Sequence, residues 1–175
     1  MPQVYRPLPP AEMLWEMLEY EPLTGILRWR VKNGPKSRVC IGDVAGYYKP
    51  VVGYMYVKSS AWGKSAITAQ RIIWKWVTGE DPGQMIVDHA NLDKRDNRWW
   101  NLRLATASQS SQNRPRFAFC AQKLKGVTQY RSGWRARIWI DGKRTHLGYF
   151  ATAEEAHAAY CAASEQYHGE FGRTT

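Results

Sequence analysis

The spacing of apolar positions changes several times along this chain. Leu14, Trp15 and Leu18 recur at helical intervals and predict a short amphipathic helix over residues 8–22. The runs GILRWRVKN, DVAGYY and VVGYMYVKSS then read as strands, separated by turn residues such as Asn33-Gly34-Pro35 and Gly53. ITAQRIIWKWVT, residues 67–78, returns to a helical pattern through Ile67, Arg71, Ile73, Trp74 and Val77 and stops near Gly79. A further apolar strand ends at Asp88-His89 and opens into a polar loop. Residues 114–124, RPRFAFCAQKL, read as a linker.

The last fifty or so residues form a second pattern. GVTQY, WRARIWI and KRTHLGYF read as strands, divided by Arg-Ser-Gly and by Asp141-Gly142, a pair that favours a tight hairpin. Period-2 alternation puts Trp134, Ala136, Ile138 and Ile140 on one face and Arg135, Arg137 and Trp139 on the other. A helix is expected from Thr152, with Glu155 completing a capping box and Ala156, Ala159, Tyr160 and Ala163 forming its buried stripe. The helix covers the apolar sheet face, and the face bearing Arg and Trp is left for another use.

Charge narrows that use. Lys and Arg number 25 against 15 acidic residues, a net charge of +10, which favours a polyanionic partner. No apolar run approaches the ~20 residues of a membrane span, so nucleic acid is preferred over a membrane. The first residues lack a basic segment followed by an apolar one, so no signal peptide is expected. Cys40, Cys120 and Cys161 are far apart and odd in number, which offers neither a zinc site nor a disulfide framework and suits a reducing cytoplasm. Nine tryptophans imply packed cores rather than a disordered basic tail.

The Arg/Trp face suggests a β-sheet that enters a major groove and presents Arg to guanine edges or phosphates. The motifs K-G-V, W-R-A-R-I, H-L-G-Y-F and E-E-A…A-Y over residues 123–173 resemble the AP-two/ethylene-response-factor DNA-binding family. That resemblance implies a three-stranded antiparallel sheet packed on one helix. It implies DNA contacts from Lys125, Arg135, Arg137, Trp139, Arg144 and His146.

Asp88-His89 has its own chemistry. Phosphodiester hydrolysis needs a base for water and a cation for the developing charge, and a carboxylate beside a neutral imidazole offers both. Adjacent strand residues point to opposite faces, so one site can use both only if the strand twists or ends there. The pattern V-D-H-x-N-x-D-x-x-D-N-R-x-x-N-L-R-x-A-T-x-S-Q resembles the HNH endonucleases of the ββα-metal class, with the similarity covering residues 22–114. The resemblance implies that His89 is the general base, that Asn101 orients its imidazole, and that Asp88 is a ligand to a divalent metal ion, Mg²⁺ or Mn²⁺. Asp96 and Asn97 are expected to shape the loop. The chain departs from the family pattern twice. Ser110 stands where the family usually has an Asn ligand, with Asn113 as the candidate substitute. Gln70 replaces a frequent His. Arg95, Arg98, Arg103, Arg114 and Arg116 are expected to meet phosphates around this centre, and Trp99-Trp100 to pack.

The expected architecture is α+β. It comprises an N-terminal β-rich region leading into a ββα-metal HNH nuclease module over residues 1–114, a linker at 115–122, and an AP-two-type DNA-binding domain at 123–175. Two functions are open. One is a metal-dependent, sequence-directed endonuclease or nickase of homing or phage type acting on double-stranded DNA. The other, favoured by Ser110, is a catalytically weakened relative that binds DNA as a regulator. The expected setting is the cytoplasm of a host cell, for a phage- or bacteria-encoded monomer or weak dimer without membrane association.

Overall fold

Pro9 and Pro10 set where the first helix begins, because proline cannot donate inside a helix but tolerates its start. The structure, a computed structural model, describes residues 7–34, 37–63, 65–114 and 124–174. The expected linker at 115–122, with Arg116 and Cys120, lies outside the described residues. The chain divides into two compact units, Met1–Ala105 and Thr106–Thr175.

In the first unit, helix α1 spans Ala11–Met17 and buries Ala11, Leu14 and Met17. It is shorter than the helix expected over 8–22. Leu18–Glu21 is strand β1, antiparallel to β2 at Ile26–Trp29. Leu18 and Tyr20 are buried while Glu19 is exposed, so this stretch satisfies a strand period as well as a helical one. Pairing with Trp29 and Leu27 selects the strand. Three short strands follow, β3 (Tyr47–Lys49), β4 (Tyr54–Val57) and β5 (Ile67–Thr68), in the antiparallel order β3-β4-β5.

Helix α2, Ala69–Thr78, ends at Gly79, whose φ of 77° is the left-handed conformation that favours glycine. Its buried face is Ala69, Gln70, Ile72 and Ile73 rather than the expected line through Arg71 and Val77. Arg71 instead donates to the carbonyls of Gly83 and Met85. The last pair is β6 (Ile86–His89) with β7 (Leu102–Ala105). Leu14, Leu18, Val57, Ile72 and Ile73 are fully buried in one core with Tyr20 and Trp29. Each such aliphatic contributes about 1.5–3 kcal/mol by its removal from water.

The second unit begins with helix α3 (Ala107–Asn113), capped reciprocally by Thr106 and Gln109. It continues through β8 (Val127–Tyr130), β9 (Gly133–Ile140), β10 (Lys143–Phe150) and helix α4 (Ala153–His168). The sheet is antiparallel in the order β10-β9-β8. Asp141 and Gly142 both take positive φ, 48° and 76°, as a two-residue hairpin requires. The Thr152–Glu155 capping box is present at the start of α4. Ala153, Ala156, Tyr160 and Ala163 pack on Val127, Ala136 and Ile138. Gly126 permits this approach: a Cβ there would lie 2.0 Å from the Tyr160 ring. At coarse level the chain is α+β. Among the described residues no helix is long and apolar enough to cross a membrane.

Candidate functional site

Strand β6 delivers Asp88 and His89 to its carboxyl end, and alternation still governs them there. Asp88 faces its cross-strand partner Arg103, with 3.5 Å between Oδ2 and Nη2. His89 shares the buried side with Val87. Asn97 Oδ1 lies 3.1 Å from His89 Nε2. With that oxygen as acceptor, Nε2 carries the proton and Nδ1 becomes the basic nitrogen. Burial holds the imidazole below its ordinary pKa, outweighing the hydrogen bond to Asn97 and the charges of Asp88, Asp93 and Asp96, which push it upward. The ring of Tyr54 lies against it, 6.0 Å between centroids.

The hydrogen bond expected between Asn101 and His89 is therefore made by Asn97. Asn101 staples the loop. Its Oδ1 accepts from the Asn91 backbone N–H, and its Nδ2 donates to Asn91 Oδ1 and to the Asp96 carbonyl. Asp96 completes this network by accepting from Asn91 and, through both oxygens, from Arg98. These bonds hold its carboxyl down at about 2, Arg98 being the largest cause. Loop shaping thus belongs to Asp96 and Asn101, and contact with the imidazole to Asn97.

Asn97 is itself held from a distant part of the chain. The buried Tyr20 hydroxyl donates to its carbonyl at 2.8 Å, and desolvation of that phenol pushes its pKa up to about 12. The turn between β1 and β2 closes on the same segment: a Cβ on Gly25 would lie 2.6 Å from Arg98 N and Asn97 C. No local pattern in the sequence pairs residue 20 with residue 97. The D-N-R triplet was the available signal for Asn97, and it points equally to a loop.

The expected cations separate by their partners. Arg98 and Arg103 face Asp96 and Asp88, whereas Arg95 lies 5.0 Å from the Tyr48 ring centre. Of the adjacent tryptophans, Trp99 packs in the core against Trp74, and Trp100 is 58% exposed beneath the Arg98 guanidinium.

Ser110 and Asn113 stand on α3 in the second unit, where Asn113 is buried and Ser110 is half-buried. Arg114 is the exposed C-cap of that helix. Lys125, expected on the DNA face, is placed elsewhere. Its ammonium donates to the Gln112 and Arg114 carbonyls at 2.6 and 3.0 Å, which occupies it at the C-terminus of α3. Burial, aided by the nearby Arg173 charge, lowers it to about 8.

The other five expected contacts share one sheet face. The register opposes Arg144 to Trp139 and His146 to Arg137, and Arg135 to Tyr149. Trp139 is 54% exposed, with Arg144 5.0 Å from its ring centre. Arg135 lies over Tyr130, and His146 and Tyr130 flank Tyr149. Burial and the like charges of Arg135 and Arg144 shift Arg137 downward. Tyr130 and Tyr149 were not among the expected contacts, since their place depends on cross-strand register.

Among the described residues no group of three or more His, Cys, Asp and Glu could hold a metal ion. Asp88, the carboxylate expected to hold a divalent ion, is engaged by Arg103 at 3.5 Å.

Comparison with known families gives a match over residues 68–112, about a quarter of the chain, to the family described as HNH endonuclease. Neither the curated proteins nor the solved structures give a match. The matched span runs from β5 through α2, β6 and β7 into α3.

Proposed function

We propose that this protein is a divalent-metal-dependent DNA endonuclease that cuts one strand per active centre. The observation that carries the reading is a buried histidine at the end of β6. It is kept neutral by desolvation, fixed through Nε2 by Asn97, and adjacent to Asp88 within the segment that matches HNH endonucleases.

His89 is the general base. Its Nδ1 accepts a proton from water as the water oxygen bonds to phosphorus and the phosphorus–oxygen ester bond breaks. A neutral imidazole is needed for that step, and burial favours it. Asn97 fixes the tautomer so that the lone pair is on Nδ1. Asn101 and Asp96 keep the loop in the shape that presents Asn97. Asp88 would hold the Mg²⁺ or Mn²⁺ ion; Ser110 stands at the sequence position where the family resemblance places an Asn ligand, with Asn113 as the candidate substitute. The ion supplies electrostatic stabilisation of the charge that develops on the phosphoryl and leaving oxygens.

The second unit is an address module of AP-two type. Arg135, Arg137, Trp139, Arg144 and His146 meet duplex DNA, and the sheet supplies affinity and sequence preference. A single centre per chain nicks, and a double-strand break requires two chains or two sequential events.

One residue favours a second reading. Ser110 offers a hydroxyl where the family has an amide carbonyl, a weaker ligand, so the chain can be a relative that retains DNA binding with diminished cleavage. Nicking of supercoiled plasmid with Mg²⁺ or Mn²⁺, compared with His89→Ala, decides between them. Metal-dependent nicking lost in the variant supports the nuclease. Absence of nicking by the wild type with either ion supports the binding protein.

A further inference from the structure

Two groups stand out among the described cations of the first unit. Arg28, Arg71, Lys75, Arg98 and Arg103 face carboxylates, those of Glu21, Asp81, Asp96 and Asp88. Such pairing offsets much of the charge that an approaching phosphate would feel. Lys49, Lys94 and Arg95 make no ion pair among the described residues. They lie against tyrosine rings instead: Lys49 Nζ 5.8 Å from the centre of Tyr56, Lys94 Nζ 4.5 Å from Tyr54, and the Arg95 guanidinium 5.0 Å from Tyr48. A ring face attracts a cation through its quadrupole but carries no net charge. These three cations are therefore positioned with their charge intact.

Their placement follows from strand register. β3 and β4 oppose Tyr47 to Tyr56 and Lys49 to Tyr54, which puts these four side chains on one face. Met55 and Val57 take the other face and pack into the core, and Tyr48, which pairs with Met55, stays 41% exposed. Tyr47 and Tyr56 stack, giving the outer face a firm aromatic base. The loop between the strands closes over Lys94: the Val52 carbonyl accepts from its ammonium at 3.1 Å, and a Cβ on Gly53 would lie 3.4 Å from its Cδ. The same Tyr54 ring that carries Lys94 also lies beside the His89 ring. An uncancelled positive strip with exposed tyrosines thus adjoins the imidazole.

We propose that the β3–β4 hairpin, with Lys49 and Lys94 held on the tyrosine rings of its outer face and Arg95 on Tyr48 beside it, receives the phosphate backbone of duplex DNA and leads the strand to His89. The direction toward His89 rests on the nuclease reading. The binding itself does not. Phosphates replace nothing on this face, since its cations have no carboxylate to exchange, and the tyrosine hydroxyls add donors of a kind that duplex backbones accept.

The test measures binding without cleavage. A short mixed-sequence DNA duplex is titrated with the His89→Ala protein in EDTA at several salt concentrations, before and after adding Lys49→Gln, Lys94→Gln and Arg95→Gln together. Removal of each cation that meets a phosphate should reduce the slope of log affinity against log salt by about 0.9. A control carries the same charge change on other exposed residues of this unit, Lys32→Gln, Arg38→Gln and Lys58→Gln. A reduced slope in the hairpin variant with little change in the control supports the proposal. No change in the hairpin variant, or an equal change in both, overturns it. Loss of the nuclease reading would appear in plasmid nicking and would leave this slope where it is.

Discussion

Oδ1 of Asn97 lies 3.1 Å from Nε2 of His89, and both residues are buried. The same asparagine is anchored through its carbonyl by Tyr20. A chain of two hydrogen bonds therefore connects the N-terminal hairpin to the candidate base. Asn97→Ala should lower nicking about 10–100-fold, the usual cost of removing a residue that orients a functional histidine. Because Asn97 positions the base and does not touch substrate in this scheme, the loss should fall on kcat with KM little changed. Tyr20→Phe removes one buried hydrogen bond and should cost about 1–2 kcal/mol in urea unfolding. In both variants the ¹⁵N resonances of the His89 ring should show a less uniform tautomer. Unaltered ring resonances in Asn97→Ala would refute the orienting role.

Asp96 ties acid stability to the loop. Its carboxyl is held at about 2, chiefly by Arg98, against roughly 3.9 in an unfolded chain. Between these values the unfolded state binds more protons, so stability falls as pH falls. The contribution is complete above about pH 4 and lost as pH drops through about 2. Asp96→Asn should flatten the pH dependence of the urea midpoint in this window. An unchanged profile would mean that the Arg98 pair contributes nothing to folding.

Under the proposed nuclease function, Ser110 is a test of metal affinity. An amide carbonyl is a better ligand for a hard cation than a neutral hydroxyl. Ser110→Asn should therefore lower the Mg²⁺ concentration needed for half-maximal nicking. A higher requirement in the variant would show that the serine is adapted to the site.

The sheet of the second unit should dominate affinity for the address. Arg135→Ala combined with Arg137→Ala should weaken duplex binding and reduce its salt slope by about 0.9 for each of the two that meets a phosphate. If one of them instead reads a guanine edge, the loss should include about 1–3 kcal/mol of discrimination at one base pair. A binding curve identical to wild type at every salt concentration would move the interface to another face. Lys125→Gln should behave differently, perturbing the end of α3, where its ammonium bonds two carbonyls.

Gly126 tests the packing of the second unit. Its φ is +78°, and a Cβ would overlap the Tyr160 ring. Gly126→Ala adds overpacking to backbone strain and should destabilise the unit by about 2–4 kcal/mol, read from thermal or urea unfolding. A loss below about 0.5 kcal/mol would show that α4 can retreat from the sheet at little cost.

Local chemistry was legible in the sequence wherever neighbours along the chain decide the outcome. Alternation through residues 134–140 placed Arg135, Arg137 and Trp139 opposite Ala136 and Ile138, since strand geometry leaves successive side chains no choice. Asp141-Gly142 and the Thr152–Glu155 box were equally legible, because a tight turn and a helix cap are settled within a few residues. The Asp88-His89 dipeptide and its basic surroundings were visible for the same reason. Tertiary structure decided what depends on distant partners. Leu18–Glu21 suits both helix and strand, and pairing with Ile26–Trp29 resolved it. Asn97 and Asn101 are chemically alike, and only folding of the loop brought the first to His89 and the second to Asn91 and Asp96. Whether a cation keeps its charge for a phosphate is likewise nonlocal: Arg95 and Arg98 are three residues apart, yet one lies on Tyr48 and the other on Asp96. Period and turn chemistry act at short range, whereas pairing, burial and charge compensation depend on which surfaces the fold brings together.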